Sequence, residues 1–374
     1  MFLKKFRRRL NNHLSRRYKN SINIAKENSE STVYIESNNV YSFSNKNFTF
    51  IGNQPYWTDF KNIKLRKLFF QKAHKVEVIG KGIILDRNDC VNLESTIFQE
   101  EYLHKLKSNH LVKFRKFFPS KKLDKAIVLT NYLYGNYYHW ITESLGRIAL
   151  LEIQNLSEYQ IILDASAPKF TIDSLVELFG IRPSMIYLKK ETRLKVAHIL
   201  IPSFPQTRNS FTKETNIYHA EIIRKVNAIS KAKTTSNPTK RNFIISRKKA
   251  TQRRMINEEL FLEKFNYLNL ELIALEELTF KEQMNLFRNA GIIIGTHGAG
   301  LANLVFSENP LVIELFPSNR YNRDAFYFHQ ITSALGIQHV ILEYNATNYD
   351  RQDLIVDEQI ISSINNIITE KLKM

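Results

Sequence analysis

NAGIIIGTHGAGLANLVFSENPLVIELFP, running from Asn289 to Pro317, decides the fold class of this chain. Gly291 to Gly295 is apolar without alternation, the pattern of a strand covered on both faces. Thr296, His297, Gly298, Ala299 and Gly300 then form a tight turn, followed by a short helix and a second strand at Leu311 to Leu315. Gly298 and Gly300 permit backbone conformations that other residues resist, and they remove side chains that would block a ligand. A helix opening just after the turn would aim free amides and its positive dipole end into a crevice. His297 would stand at the carboxyl end of a parallel strand, where open α/β sheets place their ligands. The stretch predicts an α/β fold with an anion site, although Gly-Ala-Gly after a strand also fits a close helix–strand contact.

The same alternation extends in both directions. NFIIS at Asn242 to Ser246, a strand at Leu270 to Leu275 and the amphipathic TFKEQMNLFRNA precede the turn, and a helix at Asp324 to Leu335 and HVILEY follow it. KAKTTSNPTK is polar and contains Pro238, so it reads as a linker in front of this domain. Before it lies another α/β segment with strands at AIVLT, YQIILD and VAHILIP and a helix from Trp140 to Leu151. Residues 31 to about 99 are short β-branched and aromatic stretches, a β-rich leader. The expected divisions are a basic amphipathic segment (1–30), a leader with a first α/β domain (31–235), a second α/β domain (236–355) and a C-terminal helix (356–374) packing across the pair.

The 374 residues suit two domains. A formal charge of +18, from 54 basic and 36 acidic residues, favours an anionic partner. Cys90 is the only cysteine, which rules out an intrachain disulfide or a cysteine metal cluster. No run of eighteen apolar residues and no signal-peptide core occurs, so the expected location is cytoplasmic. In MFLKKFRRRLNNHLSRRYKN, Phe2, Leu3, Phe6, Leu10 and Leu14 recur at helical spacing, with Lys4, Lys5, Arg7, Arg8, Arg9, Arg16 and Arg17 around them. Such a helix could lie peripherally on the anionic inner face of the plasma membrane, or be a docked solvated helix. No zinc-finger or aromatic RNA-binding motif accompanies the charge, so nucleic acid is not an expected partner. Oligomeric state is not legible.

Two polar constellations carry chemistry. In NYYHWITESLGR, His139 and Glu143 share a helical face and Arg147 continues it one turn later. Either His139 or Glu143 could take a proton from a hydroxyl nucleophile, or both could simply brace the helix. Asn136 could hold an acceptor hydroxyl, though a helix cap is the favoured reading. In SRKKATQRR, Arg247, Arg253 and Arg254 follow a strand and suit diphosphate oxygens, with a solvated basic loop as the plain alternative. Glu314 could bind a ribose or sugar hydroxyl, or be a buried structural carboxylate.

HWITESLGR, IISRKKATQRRMINEE, EELTFKEQMNLFRNAGIIIGTHGAGLANLVF and LVIELFP together resemble the capsular-polysaccharide-type glycosyltransferases of family 61. That family also includes plant β-1,2-xylosyltransferases and animal protein O-N-acetylglucosaminyltransferases. The similarity covers most of Asn131 to Phe316. It implies a GT-B arrangement, with two Rossmann-like domains facing a cleft, donor nucleotide sugar chiefly in the second and acceptor mainly from the first. It also implies an inverting reaction. The family's Asn-x-x-His pattern falls on Asn136 and His139, its acidic position on Glu143, its arginine-rich donor segment on Arg247 and Arg253 or Arg254, and its turn on His297 to Gly300. Many relatives read Leu-Pro-Arg where this chain has Leu145, Gly146 and Arg147, and loss of that proline would leave the helix more regular or shift Arg147.

The implied chemistry is displacement at an anomeric carbon, with a nucleoside-diphosphate sugar as co-substrate and a glycan or lipid-linked glycan as acceptor. Glu143 is the favoured base, with His139 orienting it, and the reverse remains open. No tightly bound cofactor is expected, and no Asp-x-Asp pair or cysteine set supports a required metal. The alternative is a catalytically inactive polysaccharide-binding or membrane-associated assembly protein.

Overall fold

The computed structural model describes residues 32–53, 55–80, 82–87, 91–95, 120–130, 133–151, 156–181, 185–188, 193–207, 216–235, 237, 239–320 and 324–372. The expected basic segment at 1–30 lies outside the described residues. The chain forms two compact units, one of Met1–Ser37 and Lys67–Pro205, the other of Asn38–Arg66 and Gln206–Met374.

The second unit holds a six-stranded sheet in the order Leu270–Ile273, Arg241–Ile245, Ala290–Thr296, Leu311–Pro317, Gln338–Tyr344, Phe48–Ile51. Every neighbouring pair is parallel. Parallel strands need crossover connections that cover the faces, which explains why IIIGT and VIELF are mainly apolar and almost wholly buried, Glu314 included. The helix Phe280–Arg288 starts on a capping box, with the Thr279 hydroxyl accepting from the Glu282 amide and the Glu282 carboxylate accepting from the Thr279 amide. Its Phe287 meets Phe243 of the sheet edge-on at 5.4 Å. On the last helix, Glu358–Leu372, the stripe Ile361, Ile364, Ile367 and Ile368 joins Ile244, Ile294, Ile313 and Phe261 in one core.

Chain order and sheet order together locate a reversal. After Arg241–Ile245 the chain adds a strand on one side, then crosses to add Ala290–Thr296 and its successors on the other. The carboxyl ends of Arg241–Ile245 and Ala290–Thr296 therefore flank a topological switch point, the position where open α/β sheets bind ligands.

The division of the chain differs from the sequence expectation. Leader residues 38–66 belong to the second unit because Phe48–Ile51 pairs with Gln338–Tyr344 and Trp57, Phe60, Ile63 and Leu65 pack with Phe316 and Phe326. The helix Ala220–Lys231 also belongs there, since Asn227 donates to the Val305 and Ser307 carbonyls and Arg288 donates to Ser230. The polar stretch expected as a linker is tied down as well, with the Asn237 amide on the Asn289 side chain. The break falls at Pro205.

The first unit is a mixed seven-stranded sheet in the order Thr32–Ile35, Leu68–Ile79, Arg193–Pro202, Ser120–Val128, Gln160–Asp164, Met185–Leu188, with Ile83–Leu85 pairing Leu68–Ile79. The last four in that order are parallel, and the leader strands add on antiparallel. Here too the order reverses, between Ser120–Val128 and Arg193–Pro202. The helix that leaves the carboxyl end of Ser120–Val128 carries His139 and Glu143.

Candidate functional sites

That helix comprises Tyr137–His139, a π turn at Trp140–Ser144 and Leu145–Ala149. Asn136 is its cap, its side chain accepting from the amides of Tyr138 and His139. Its π turn, closed by Leu145 N–H on the Trp140 carbonyl, replaces the regular helix that the missing proline suggested. Thr142 Oγ1 donates back to the Tyr138 carbonyl and Ser144 Oγ reaches the Leu129 carbonyl, which fits a locally widened helix.

Glu143 sits on the wide turn. Its Oε1 meets His139 Nδ1 at 2.6 Å. The carboxylate side chain is fully buried while 21% of the imidazole remains exposed. Burial alone would depress the His139 pKa, but the charge of Glu143 and its hydrogen bond outweigh that and raise it. With Nδ1 committed to Glu143, Nε2 is the ring nitrogen left for a substrate proton. This is the geometry of an imidazole base oriented by a carboxylate.

Arg147 lies beneath, fully buried. Its Nε donates to the Pro202 carbonyl at 3.0 Å and its guanidinium covers the Phe204 ring at 4.3 Å. Burial lowers its pKa to about 10, opposed by the charges of Glu94 and Glu143. Arg147 thus acts from below as a counter-charge, whereas the sequence reading put it among acceptor contacts. Glu94, which accepts from the Phe204 amide at 3.1 Å, was not singled out by sequence; no local pattern links it to residues fifty positions away.

The second site is built at the switch point of the parallel sheet. Ser246 Oγ and the Arg247 amide are both anchored on Glu258, so the loop leaves the strand in a defined direction. The Arg247 guanidinium bonds to the carbonyls of Gln252 and Arg253 and lies over Gly298, whose absent Cβ would overlap it. Arg253 has a left-handed backbone (φ 53), uncommon for a non-glycine residue and frequent at ligand sites. Three bonds hold it there: Arg253 N–H to the Arg351 carbonyl, Thr296 Oγ1 to the Arg253 carbonyl at 2.6 Å, and Arg253 Nε to the His297 carbonyl at 2.6 Å. Thr296 and the arginine loop are thereby stitched together.

Gly298 itself is extended (φ 177), so its role is space for Arg247 and not the special backbone freedom expected from the sequence. At Gly300 a Cβ would crowd Leu275. The expected helix is a 3-10 helix, Ala299–Phe306, with Ala299 and Gly300 half-buried at its start. Arg247 and Arg253 both have lowered pKa values, Arg253 to about 10. Burial is the main cause, and for Arg253 the neighbouring charges of Arg320 and Arg247 follow. Cations that repel one another at a switch point are a site for an anion.

Three other candidates take supporting positions. His297 is buried, its Nδ1 bonded to Glu314 Oε1 at 2.5 Å and its ring edge-on to Phe316. Burial lowers the His297 pKa and raises that of Glu314. Glu314 Oε2 meets His339 Nε2 at 3.1 Å, so two imidazoles occupy both carboxylate oxygens, as the structural alternative for Glu314 describes. Arg254 is bonded through its amide and guanidinium to Asp353. Among the described residues, no three His, Cys, Asp or Glu side chains gather into a metal site, and no helix is long and apolar enough to cross a membrane.

Each unit is thus an α/β sheet with a polar cluster at a switch point, one carrying an imidazole–carboxylate pair and the other two arginines against the glycine turn. Residues 137–313 match the model of the family Glycosyltransferase 61. That match begins on the first turn of the helix bearing His139 and Glu143 and runs through Arg247, Arg253 and the glycine turn. It supports assignment to that family and, with it, an enzyme of glycosyltransferase type. No curated protein matches the chain.

Proposed function

We propose that the chain is an inverting glycosyltransferase of GT-B type. It would move a sugar from a nucleoside-diphosphate sugar to a hydroxyl of a glycan or lipid-linked glycan, in the assembly of capsular or other cell-surface polysaccharide. The observation that carries this reading is the convergence of Arg247 and Arg253 on the glycine turn, within the stretch matching Glycosyltransferase 61. In this reaction the acceptor oxygen bonds to the anomeric carbon as its proton passes to the base. The bond from that carbon to the diphosphate breaks on the opposite side, leaving charge on the phosphate oxygens. Arginines and helix-end amides stabilise that developing charge more than the ground state, which lowers the barrier.

His139 Nε2 is the proposed proton acceptor and Glu143 the group that orients it. This assignment reverses the roles favoured from sequence. Its support is accessibility, since the buried carboxylate already has one oxygen on the imidazole. Peripheral contact with an anionic inner membrane rests on the sequence of residues 1–20 and is tested by liposome binding of a variant with Arg7, Arg8 and Arg9 changed to Ala. Partitioning equal to the parent at low salt would remove that part alone.

A panel of nucleoside-diphosphate sugars, scored first by thermal stabilisation and then by mass analysis of products, tests the activity. Stabilisation by at least one donor and an acceptor heavier by one sugar are expected. Arg247→Ala should weaken donor binding by about tenfold or more. Absence of both stabilisation and product across the panel overturns the reading in favour of a non-catalytic glycan-binding role.

A further inference from the structure

We infer that Arg320 is a third phosphate ligand of the donor site and makes that site prefer a diphosphate to a monophosphate. The inference rests on the donor-site reading above and extends it to a residue outside the matched stretch. Arg320 lies just past the carboxyl end of Leu311–Pro317, its amide closing a turn on the Pro317 carbonyl. That strand is the parallel neighbour of Ala290–Thr296, with Thr296 opposite Leu315. Arg247, the glycine turn and Arg320 therefore follow three adjacent strands along one edge of the sheet. Two inter-strand steps span about 10 Å, within reach of arginine side chains converging from both sides.

The guanidinium of Arg320 is incompletely satisfied. Nη2 pairs with Asp324 at 2.7 Å, and Nη1 is 3.5 Å from Gln352 Oε1, at the limit of a hydrogen bond. Its Nε is buried and finds no acceptor among the described residues. A buried donor without an acceptor is unfavourable unless a ligand supplies one. The charge of Arg320 also acts on its neighbours, lowering the pKa values of both Arg247 and Arg253. Asp324 neutralises only part of this cluster. A single tetrahedral phosphate can be served by Arg247 and the amides of the turn. A second phosphate adds oxygens and negative charge, and Arg320 is the cation left to meet them.

Calorimetry on the full chain with inorganic pyrophosphate and with orthophosphate as probes isolates this role without knowledge of the donor sugar. The parent should bind pyrophosphate about tenfold or more tighter than orthophosphate. Arg320→Gln should lose most of that preference while its orthophosphate affinity stays within about twofold of the parent. Arg320→Lys, which keeps the charge without the planar fork, should fall between the two. It serves as the informative variant if loss of the Asp324 pair unfolds the glutamine form. Pyrophosphate affinity in either folded variant equal to the parent's overturns the inference. If Arg247→Gln loses both probes under the same conditions, the donor site still stands and only the role of Arg320 fails. A parent that binds neither probe nor any nucleoside diphosphate overturns the donor-site reading and this inference together.

Discussion

His139 and Glu143 share one short hydrogen bond, but only the imidazole reaches solvent. A neutral His139 is required for proton abstraction, so transfer should rise with pH through a pKa above 6.5, the direction in which Glu143 moves it. Glu143→Gln removes the charge that raises this pKa. The acid limb of kcat/KM should shift to lower pH while the plateau falls, because the imidazole loses the carboxylate that orients it and raises its basicity. An unshifted limb with an unchanged plateau would show that the pair only braces the helix. The arginines of SRKKATQRR also separate at this scale. Arg254→Ala loses its bonds to Asp353 and should lower the melting temperature with little change in nucleotide affinity. Arg247→Ala should do the reverse, and calorimetry beside thermal melts distinguishes them. The residue types were legible in the sequence, but which arginine faces an open site depends on Asp353, about a hundred positions away.

At the scale of elements, the glycine turn and the strand-edge glycines serve different ends. In Gly298→Ala the new methyl meets only the mobile end of Arg247, so stability should change by less than about 1 kcal/mol. Nucleotide binding should weaken by several-fold because the guanidinium is displaced, and unchanged affinity would count against the placement of Arg247. Gly82 is the opposite case. Its backbone is left-handed (φ 86), and a Cβ there would lie 2.5 Å from the Thr130 carbonyl oxygen, which cannot swing away. Gly82→Ala should destabilise by about 2–4 kcal/mol in denaturant melts. Periodicity disclosed most of the parallel strands, because strands buried on two faces are mainly apolar, but it passed over Phe48–Ile51 and Met185–Leu188. It did not disclose the π turn at Trp140–Ser144, since the extra residue in that turn leaves the spacing of Trp140, Ile141 and Leu145 readable as an ordinary helix.

At the scale of the whole molecule, the two units should differ in acid sensitivity. His329 and His339, both in the second unit, are held neutral by burial, with pKa values pushed down to about 3. His329 stacks on Trp57 with centroids 5.3 Å apart, and neither ring nitrogen has a hydrogen-bond partner among the described residues. A base with a depressed folded pKa leaves stability intact above its unfolded value near 6.5 and erodes it as the pH falls from there toward 3. Between pH 8 and pH 5 one such group costs about 2 kcal/mol. His329→Phe keeps the aromatic stack and should recover roughly that amount at pH 5, with a smaller gain at pH 8 from removing an unsatisfied polar group. The chain's two tryptophans allow this to be followed unit by unit, since Trp57 is buried in the second and Trp140 in the first. In acid, the unfolding midpoint reported by Trp57 in a Trp140→Phe background should fall further than that reported by Trp140 in a Trp57→Phe background. Equal shifts would place the acid-labile groups elsewhere.

Local pattern by itself determined the α/β class, the glycine turn between two buried strands, the capped helix carrying His139 and Glu143, and the set of arginines near the turn. These follow from short-range rules of strand burial, helical spacing and capping, which act over a few residues. Tertiary structure decided the rest. It moved residues 38–66 into the second unit, because strand pairing between Phe48–Ile51 and Gln338–Tyr344 leaves no mark at either end of so long a separation. It turned His297 inward onto Glu314 and Glu314 onto His339, put Arg254 on Asp353, buried Arg147 and brought Arg320 toward Arg247 and Arg253. Burial and charge pairing depend on what the fold brings alongside each side chain, and those neighbours come from distant parts of the chain.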